Sequence, residues 1–271
     1  MPKHQGSFLK DLPPSIKRCK YHGESQFFDV LNSIPDRFEA SMDTSEYVLF
    51  HASKETIQTI FDPQNADTSI RRYCRAFDTN EELILAIMAL VPHAWAADIM
   101  NSMIRDNVSQ MGLFSSLRGY PGALTERKKT KGKAPDYGWG PKRTARGQPL
   151  SPSVTLEIAM SETEPKLNSD VRFWLNPDEG NADICLTLRI NRSKPEIRIE
   201  KWVWQNDRIH RSQVTWITKK GEQTNVSHHP IVISFESLFG RQPTCPREKD
   251  VEISQQQLEE IAETIWEGQD W

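Results

Sequence analysis

Val154-Thr155-Leu156-Glu157-Ile158-Ala159-Met160 sets apolar Val154, Leu156, Ile158 and Met160 against Thr155, Glu157 and Ala159, the period of a strand with one buried face. Ser161 and Glu162 follow it directly. A carboxylate in the middle of such a strand is costly to bury unless it is paired or bound to a cation, so Glu157 demands an explanation. Upstream, Lys133-Ala134-Pro135-Asp136 places a second acid behind a proline. If the intervening chain folds back as a hairpin, Asp136 and Glu157 meet. Two converging carboxylates suit a hard dication such as magnesium, with waters completing the octahedron.

Working outward, Leu167, Val171, Trp174 and Leu175 form a helical stripe after Pro165 that ends near Asn176-Pro177. Ile184, Leu186, Leu188 and Ile190 predict a second strand. Ile197, Ile199 and Lys201-Trp202-Val203-Trp204 predict a third, after a turn at Asn191 to Pro195. Val214 to Thr218 and Ile231 to Phe235 read as further strands, and Ser254-Gln255-Gln256-Gln257 caps a closing helix with Leu258, Ile261 and Ile265 on one face. On the N-terminal side, Thr79-Asn80-Glu81-Glu82 is a capping box before the apolar run Leu83 to Val91, which predicts a buried helix. Pro92 then starts a new helix that carries Trp95, Ile99, Met103 and Ile104. Residues before Phe77 are polar and proline-broken, with brief helices near 27–38 and 54–61. The expected fold class is α/β, a central mixed β-sheet flanked by helices. Residues 1–78 form an N-terminal extension packed on a core of residues 79–271, with a C-terminal helix.

Between Gly112 and Leu150 glycines and prolines replace periodicity, which predicts a loop region. Arg127, Lys128, Lys129, Lys131, Lys133, Lys142, Arg143 and Arg146 flank Asp136 there, with Tyr137 and Trp139 between them. Basic residues interleaved with aromatics bind phosphates and stack on bases, so this segment is the candidate nucleic-acid contact. The bland alternative is a solvated loop.

The bulk properties narrow the function classes. With 271 residues and 37% hydrophobic content the chain has enough apolar side chains for a real core. A net charge of -3 gives no overall attraction to nucleic acid, so a polyanion site must come from local clustering. Cys19, Cys74, Cys185 and Cys245 are far apart and form no Cys-x-x-Cys pair, which argues for reduced thiols. No apolar run has the length of a membrane span and the first residues lack a signal-peptide pattern, so the expectation is a cytoplasmic protein with no membrane partner and no obligate protein partner. No phosphate-cradling glycine loop, dinucleotide fingerprint or Gly-x-Ser-x-Gly elbow occurs. His228-His229 are read as ordinary surface residues.

Pro-Asp, a gap of about twenty residues, an acid inside an apolar strand and then an amphipathic helix resembles the PD-(D/E)xK superfamily of restriction-endonuclease-like folds. The likeness spans roughly Leu83 to Trp204. Leu156-Glu157-Ile158-Ala159-Met160-Ser161-Glu162, Lys166-Leu167, Asp170, Trp174-Leu175 and Ile199-Glu200-Lys201-Trp202 are similar to a group of fungal proteins with this core. The resemblance implies a restriction-endonuclease-like core, and a nuclease would hold magnesium between Asp136 and Glu157. The superfamily places a lysine two residues after the second acid to orient water and stabilise the phosphate transition state. Here that residue is Ala159, so Lys201 or Lys133 would have to supply the charge.

Size and general look also resemble the arginine-containing cyclodipeptide synthases of fungal secondary metabolism. These transferases condense arginyl-tRNA with a second aminoacyl-tRNA to a cyclic dipeptide. That resemblance implies no cofactor, aminoacylated tRNA as partner, and Asp136, Glu157, Ser161, Glu162 and Lys201 as catalytic candidates. Glu157, with Glu162 or Asp170, would clamp the arginyl guanidinium or take a proton from the attacking amine. Ser161 is a candidate nucleophile, although capping is the commoner role for serine there. Trp202, sharing one side of its strand with Trp204, is a candidate for stacking on substrate. A degenerate nuclease fold that only binds nucleic acid is the non-enzymatic alternative.

Overall fold

The computed structural model describes residues 9, 12, 14–62, 64–65, 69–122, 124–128, 130–142, 151–160 and 164–271. Two mixed sheets dominate them. Strands β1 (Lys17–Lys20), β2 (Tyr47–His51), β3 (Cys74–Asp78), β4 (Leu83–Ile87), β6 (Thr125–Lys128) and β7 (Lys131–Lys133) form the first, in the order β1-β2-β4-β3-β7-β6. Helices α1 (Glu24–Asn32), α2 (Ile34–Ala40) and α3 (Lys54–Phe61) cover one face, with Phe27, Leu31, Ile34 and Ile57 against Val48, Phe50, Phe77 and Ile84. Leu9, Leu12 and Ile16 pack with Tyr47, Leu49 and Leu85 on the other.

Leu83–Ile87 is a strand where the capping box predicts a helix. Asp78 Oδ1 accepts from the amides of Asn80 (3.0 Å) and Glu81 (3.3 Å), which closes a turn between β3 and β4, and Glu82 sits in the left-handed region at φ 55°. All five residues of β4 are buried because both faces of the sheet are covered. Such a run carries no period that distinguishes a central strand from a buried helix. Nor does the sheet end at residue 78, since β4 and β7 complete what β1 to β3 begin.

The second sheet contains β5 (Leu117–Gly119), β8 (Tyr137–Pro141), β9 (Val154–Met160), β10 (Ile184–Ile190), β11 (Glu196–Gln205), β12 (Arg208–Lys220) and β13 (Gln223–Val226). Its order is β13-β12-β11-β10-β9-β8-β5, with β9 and β10 parallel and the other pairs antiparallel. The parallel pair is joined through α5 (Glu164–Leu175), the crossover that a parallel connection requires. Helices α4 (Val91–Gln110) and α7 (Gln255–Glu267) bury Met100, Ile104, Ile261 and Ile265 with Leu156, Ile158, Leu186 and Ile199. Ser254 and Gln257 form the capping box expected for α7. β14 (Ile231–Ile233) and β15 (Val251–Ile253) make a small antiparallel pair, and Phe235 opens the short helix α6 (Phe235–Phe239) rather than extending the strand.

Two further expectations change. All seven residues of β9 are buried, because α5 covers the face that carries Glu157 while α4 lies on the other. The predicted loop from Gly112 to Leu150 contributes β5 to β8 within its described residues. These strands are short and rich in glycine, and they supply little of the apolar alternation by which strands are read. Gly132 lies against the Phe77 ring, and a Cβ at Gly138 would meet Pro152 Cβ at 2.7 Å.

Gly180 follows α5 and donates its amide to Phe173 O at 3.0 Å. A Cβ there would meet Trp174 Cα at 2.5 Å and Trp174 O at 2.6 Å, and backbone cannot yield as a side-chain tip can. Gly180→Ala is expected to cost about 2 kcal/mol or more by urea denaturation, as overpacking of a filled site does.

Candidate functional site

β7, β9 and α5 meet between the two sheets and bring four charged side chains together. Lys133 of β7 places its Nζ 3.1 Å from Glu157 Oε1 and 2.8 Å from Asp170 Oδ1. Lys166 of α5 places its Nζ 3.3 Å from Glu157 Oε2 and 2.9 Å from Asp170 Oδ2, with the i,i+4 spacing of a helix turn. Two acids thus share two ammonium groups. Lys166 also donates to the Tyr47 hydroxyl at 2.8 Å, and the Trp174 indole N–H donates to Glu157 Oε1. Lys133 and Lys166 are 0% exposed and Glu157 1%, so solvent does not reach this quartet. Burial, and then the neighbouring Asp170, push the Glu157 carboxyl up to about 7 against the pull of both lysines. Burial lowers the Lys166 pKa, but Asp170, Tyr47 and Glu157 outweigh it and hold the ammonium well above its usual range. Burial likewise raises the Tyr47 phenol, which stays protonated.

Asp136, in the turn between β7 and β8, anchors a second cluster. Its Oδ2 accepts from the Ile158 amide at 2.7 Å, so the residue after Glu157 ties the two acids to one strand. Its Oδ1 lies 3.2 Å from His93 Nε2 and 3.4 Å from Arg75 Nε, while His93 Nδ1 is 2.7 Å from Glu46 Oε1. Burial works against charging His93, but Glu46 and Asp136 on either side of the ring overcome it and raise the imidazole to about 10. It is therefore an imidazolium at neutral pH. Asp136 is the mirror case: burial opposes ionisation, and His93, Lys166 and Arg75 hold the carboxyl well below its usual range.

Asp136 is also the link to solvent. It lines an open cleft of about 720 Å³ together with Arg71, Arg72, Arg75, Asp98 and Tyr137. The arginines come from β3 and the tight turn before it, where Arg71 is held by the carbonyls of Ile60 and Asp62 and Arg75 Nη1 donates to Arg72 O at 3.3 Å. Asp98 comes from α4. The cleft thus offers guanidinium groups to an anion and the exposed Asp98 carboxylate to a cation.

The sequence-predicted residues divide clearly. Asp136, Glu157, Lys133 and Asp170 converge; Lys133 stands beside Glu157 but is fully buried, so it is not available as the nucleic-acid contact that the basic run predicts. Lys201 does not join them: it projects from the opposite face of the second sheet and donates to Val232 O at 2.6 Å. Ser161, Glu162, Lys129 and Arg143 lie outside the described residues, as do the side chains of Arg127 and Lys128. Lys131 pairs with Asp78 at 3.4 Å, and Lys142 is exposed beside a different hollow. Trp139 is fully buried with its indole N–H on Asn101, so it offers no stacking surface, whereas Tyr137 is half-buried on the cleft wall. Trp202 is half-buried near α5, donates to Thr187 Oγ1 at 3.3 Å and has the Arg211 guanidinium over its ring.

Lys166, Tyr47, His93, Glu46 and the three cleft arginines were not singled out as functional from sequence. Lys166 had one legible signal, its i,i+4 spacing to Asp170 on a helix that follows the acid-bearing strand. His93 and Glu46 had none, since their pairing joins residues from separate elements.

The magnesium that the nuclease likeness implies does not fit these residues. Each oxygen of Asp136 and Glu157 already meets a protein donor, and two ammonium groups stand within 3.3 Å of Glu157, where they would repel a dication. The chain matches no family model and no curated protein.

Proposed function

We propose that the chain is a tRNA-dependent, arginine-containing cyclodipeptide synthase built on a restriction-endonuclease-like core. The observation that carries this reading is the cleft, which Arg71, Arg72 and Arg75 line together with Asp98 and Asp136. Arginines suit the phosphates of a tRNA acceptor end, and the exposed Asp98 carboxylate suits the arginyl guanidinium or the α-ammonium, while Asp136 is held by Ile158, His93 and Arg75. An aminoacyl ester is already activated, so the reaction asks mainly that amine and ester be held together, which is what paired recognition of both charges accomplishes.

Glu157 takes a different part from the one its sequence position suggests. Sealed behind Tyr47 and Trp174, it supports Asp136 through β9 rather than clamping substrate. The same burial weighs against the nuclease alternative, since a phosphodiester within a polymer has no route to Glu157.

The test is expression in a bacterial host with mass spectrometry for new cyclic dipeptides, alongside cleavage assays on DNA and RNA with magnesium. A cyclo-arginyl product, reduced at least tenfold by Arg72→Ala at an exposed cleft position, is the expected result. Magnesium-dependent cutting that disappears in Asp136→Asn would replace this reading with the nuclease. Neither product nor cleavage from folded protein would leave a nucleic-acid-binding module and overturn the enzyme.

A further inference from the structure

β11 and β12 pair over ten and thirteen residues, longer than any other strands among the described residues. One face of this ribbon begins beside α5 and extends past it. Register places Arg198 opposite Trp216, Trp202 opposite Arg211 and Trp204 opposite Ile209, so these residues share that face with Glu200 and Val214. Trp204 is 40% exposed and Trp216 39%. The guanidinium of Arg198 lies 5.4 Å from the Trp216 ring centre and that of Arg211 5.5 Å from the Trp202 ring centre. Three of the chain's eight tryptophans thus line up with two arginines over about 20 Å of strand.

Charge selects the partner. Residues 196–226 carry six Lys and Arg against four acids in a chain whose net charge is -3, so the segment as a whole is cationic against an acidic remainder, with Lys201 on its other face. Glu200 and the neighbouring Glu164 hold Arg211 and Arg198 in place, with contacts of 2.8 Å and 2.6 Å, and Glu196, also on this face, pairs with Lys194. Those guanidinium groups are thereby oriented beside the indoles. Two exposed indoles, Trp204 and Trp216, with the half-buried Trp202 on the same face and oriented arginines beside them, match a ligand that alternates π-faces with negative charge.

We propose that this ribbon face is a stacking platform for single-stranded nucleic acid, separate from the arginine-lined cleft. Bases lie on Trp216, Trp202 and Trp204 while the backbone phosphates run along the arginine side. Binding is tolerant of sequence because stacking reads only the face of a base, and it weakens as salt rises because phosphate contacts release counterions.

The experiment is a fluorescence-anisotropy titration of the full chain with a labelled 20-nucleotide oligouridylate and with a duplex of equal length. Expected are tighter binding to the single strand, quenching of tryptophan emission, and at least a tenfold loss of affinity in the Trp204→Ala/Trp216→Ala double variant. Both positions are exposed, so the variant is expected to retain the wild-type circular dichroism and melting temperature. An unchanged affinity in the folded double variant overturns the proposal, as does a preference for the duplex. Light scattering that shows a dimer dissolved by the same substitutions would also overturn it, because the face would then be covered by a second copy of the chain. The oligonucleotide carries no aminoacyl group, so loss of the synthase reading leaves this result untouched.

Discussion

Lys166→Met is expected to destabilise the chain by about 3–5 kcal/mol in urea denaturation at neutral pH, the range for removing one partner from a buried ion pair. Methionine fills nearly the same volume, so the loss is electrostatic. Glu157 and Asp170 would be left sharing the single ammonium of Lys133, each in a site that solvent does not reach. Tyr47 would lose its charged donor as well. Glu157 has one escape, because its carboxyl already lies near 7 and can take up a proton. Adding Glu157→Gln to Lys166→Met removes one acid along with one cation and restores balance between Lys133 and Asp170. The double variant should therefore recover more than half of the loss, and a double-mutant cycle measures the coupling directly. A Lys166→Met variant within about 1 kcal/mol of wild type would mean that the quartet is held by packing alone.

The second large effect concerns alkaline pH. His93 titrates at about 10 in the folded chain against an ordinary value of 6.5, so the folded state binds a proton that the unfolded state has released over that interval. A raised pKa of this kind contributes stability that is fully present below about pH 6.5 and is lost as pH rises through 10. The separation corresponds to a contribution on the order of 5 kcal/mol. Glu157 also favours the protonated folded state, but its interval ends near 7. Burial raises the Cys74 and Cys185 thiols, which lower stability from about pH 9 in wild type and variant alike, so the difference between wild type and a His93 variant from pH 7.5 to 10 reports His93. His93→Gln keeps a polar group between Glu46 and Asp136 but cannot charge. Its urea midpoint should be well below wild type at pH 6.5 and should change far less than the wild-type midpoint between pH 7.5 and 10. Parallel curves for the two proteins would show that the imidazolium contributes nothing to the fold.

Both predictions rest on residues that differ greatly in how far the sequence exposes them. The strands at Val154–Met160 and Ile184–Ile190, the helix that joins them and the capped closing helix follow from alternation, helical spacing and local hydrogen bonding, all of which act over a few residues. Asp136 and Glu157 were legible as a pair because an acid in an apolar strand needs compensation. What compensates them was only half legible: Lys133 stood beside the motif, whereas Lys166 sat on the next helix and Lys201 looked equally suitable. Alternation decides against Lys201, since it is one residue out of phase with Glu200 and so projects from the far face. The strand β4 and the glycine-rich strands β5 to β8 were misread because their pairing partners lie elsewhere in the chain, and no local period encodes a strand buried on both faces.

From its sequence alone the chain determined a mixed α/β architecture and two acids that must be neutralised. Only the tertiary structure decided that the neutralising charges are protein cations, that Glu157 is sealed while Asp136 borders a cleft, and that the arginines of β3 and of the turn before it line that cleft. The physical reason is range. Backbone propensity and side-chain period are settled between neighbours along the chain, but the cost of a buried charge is settled by whichever groups arrive within a few ångströms of it, and those come from β2, β7, α4 and α5 together.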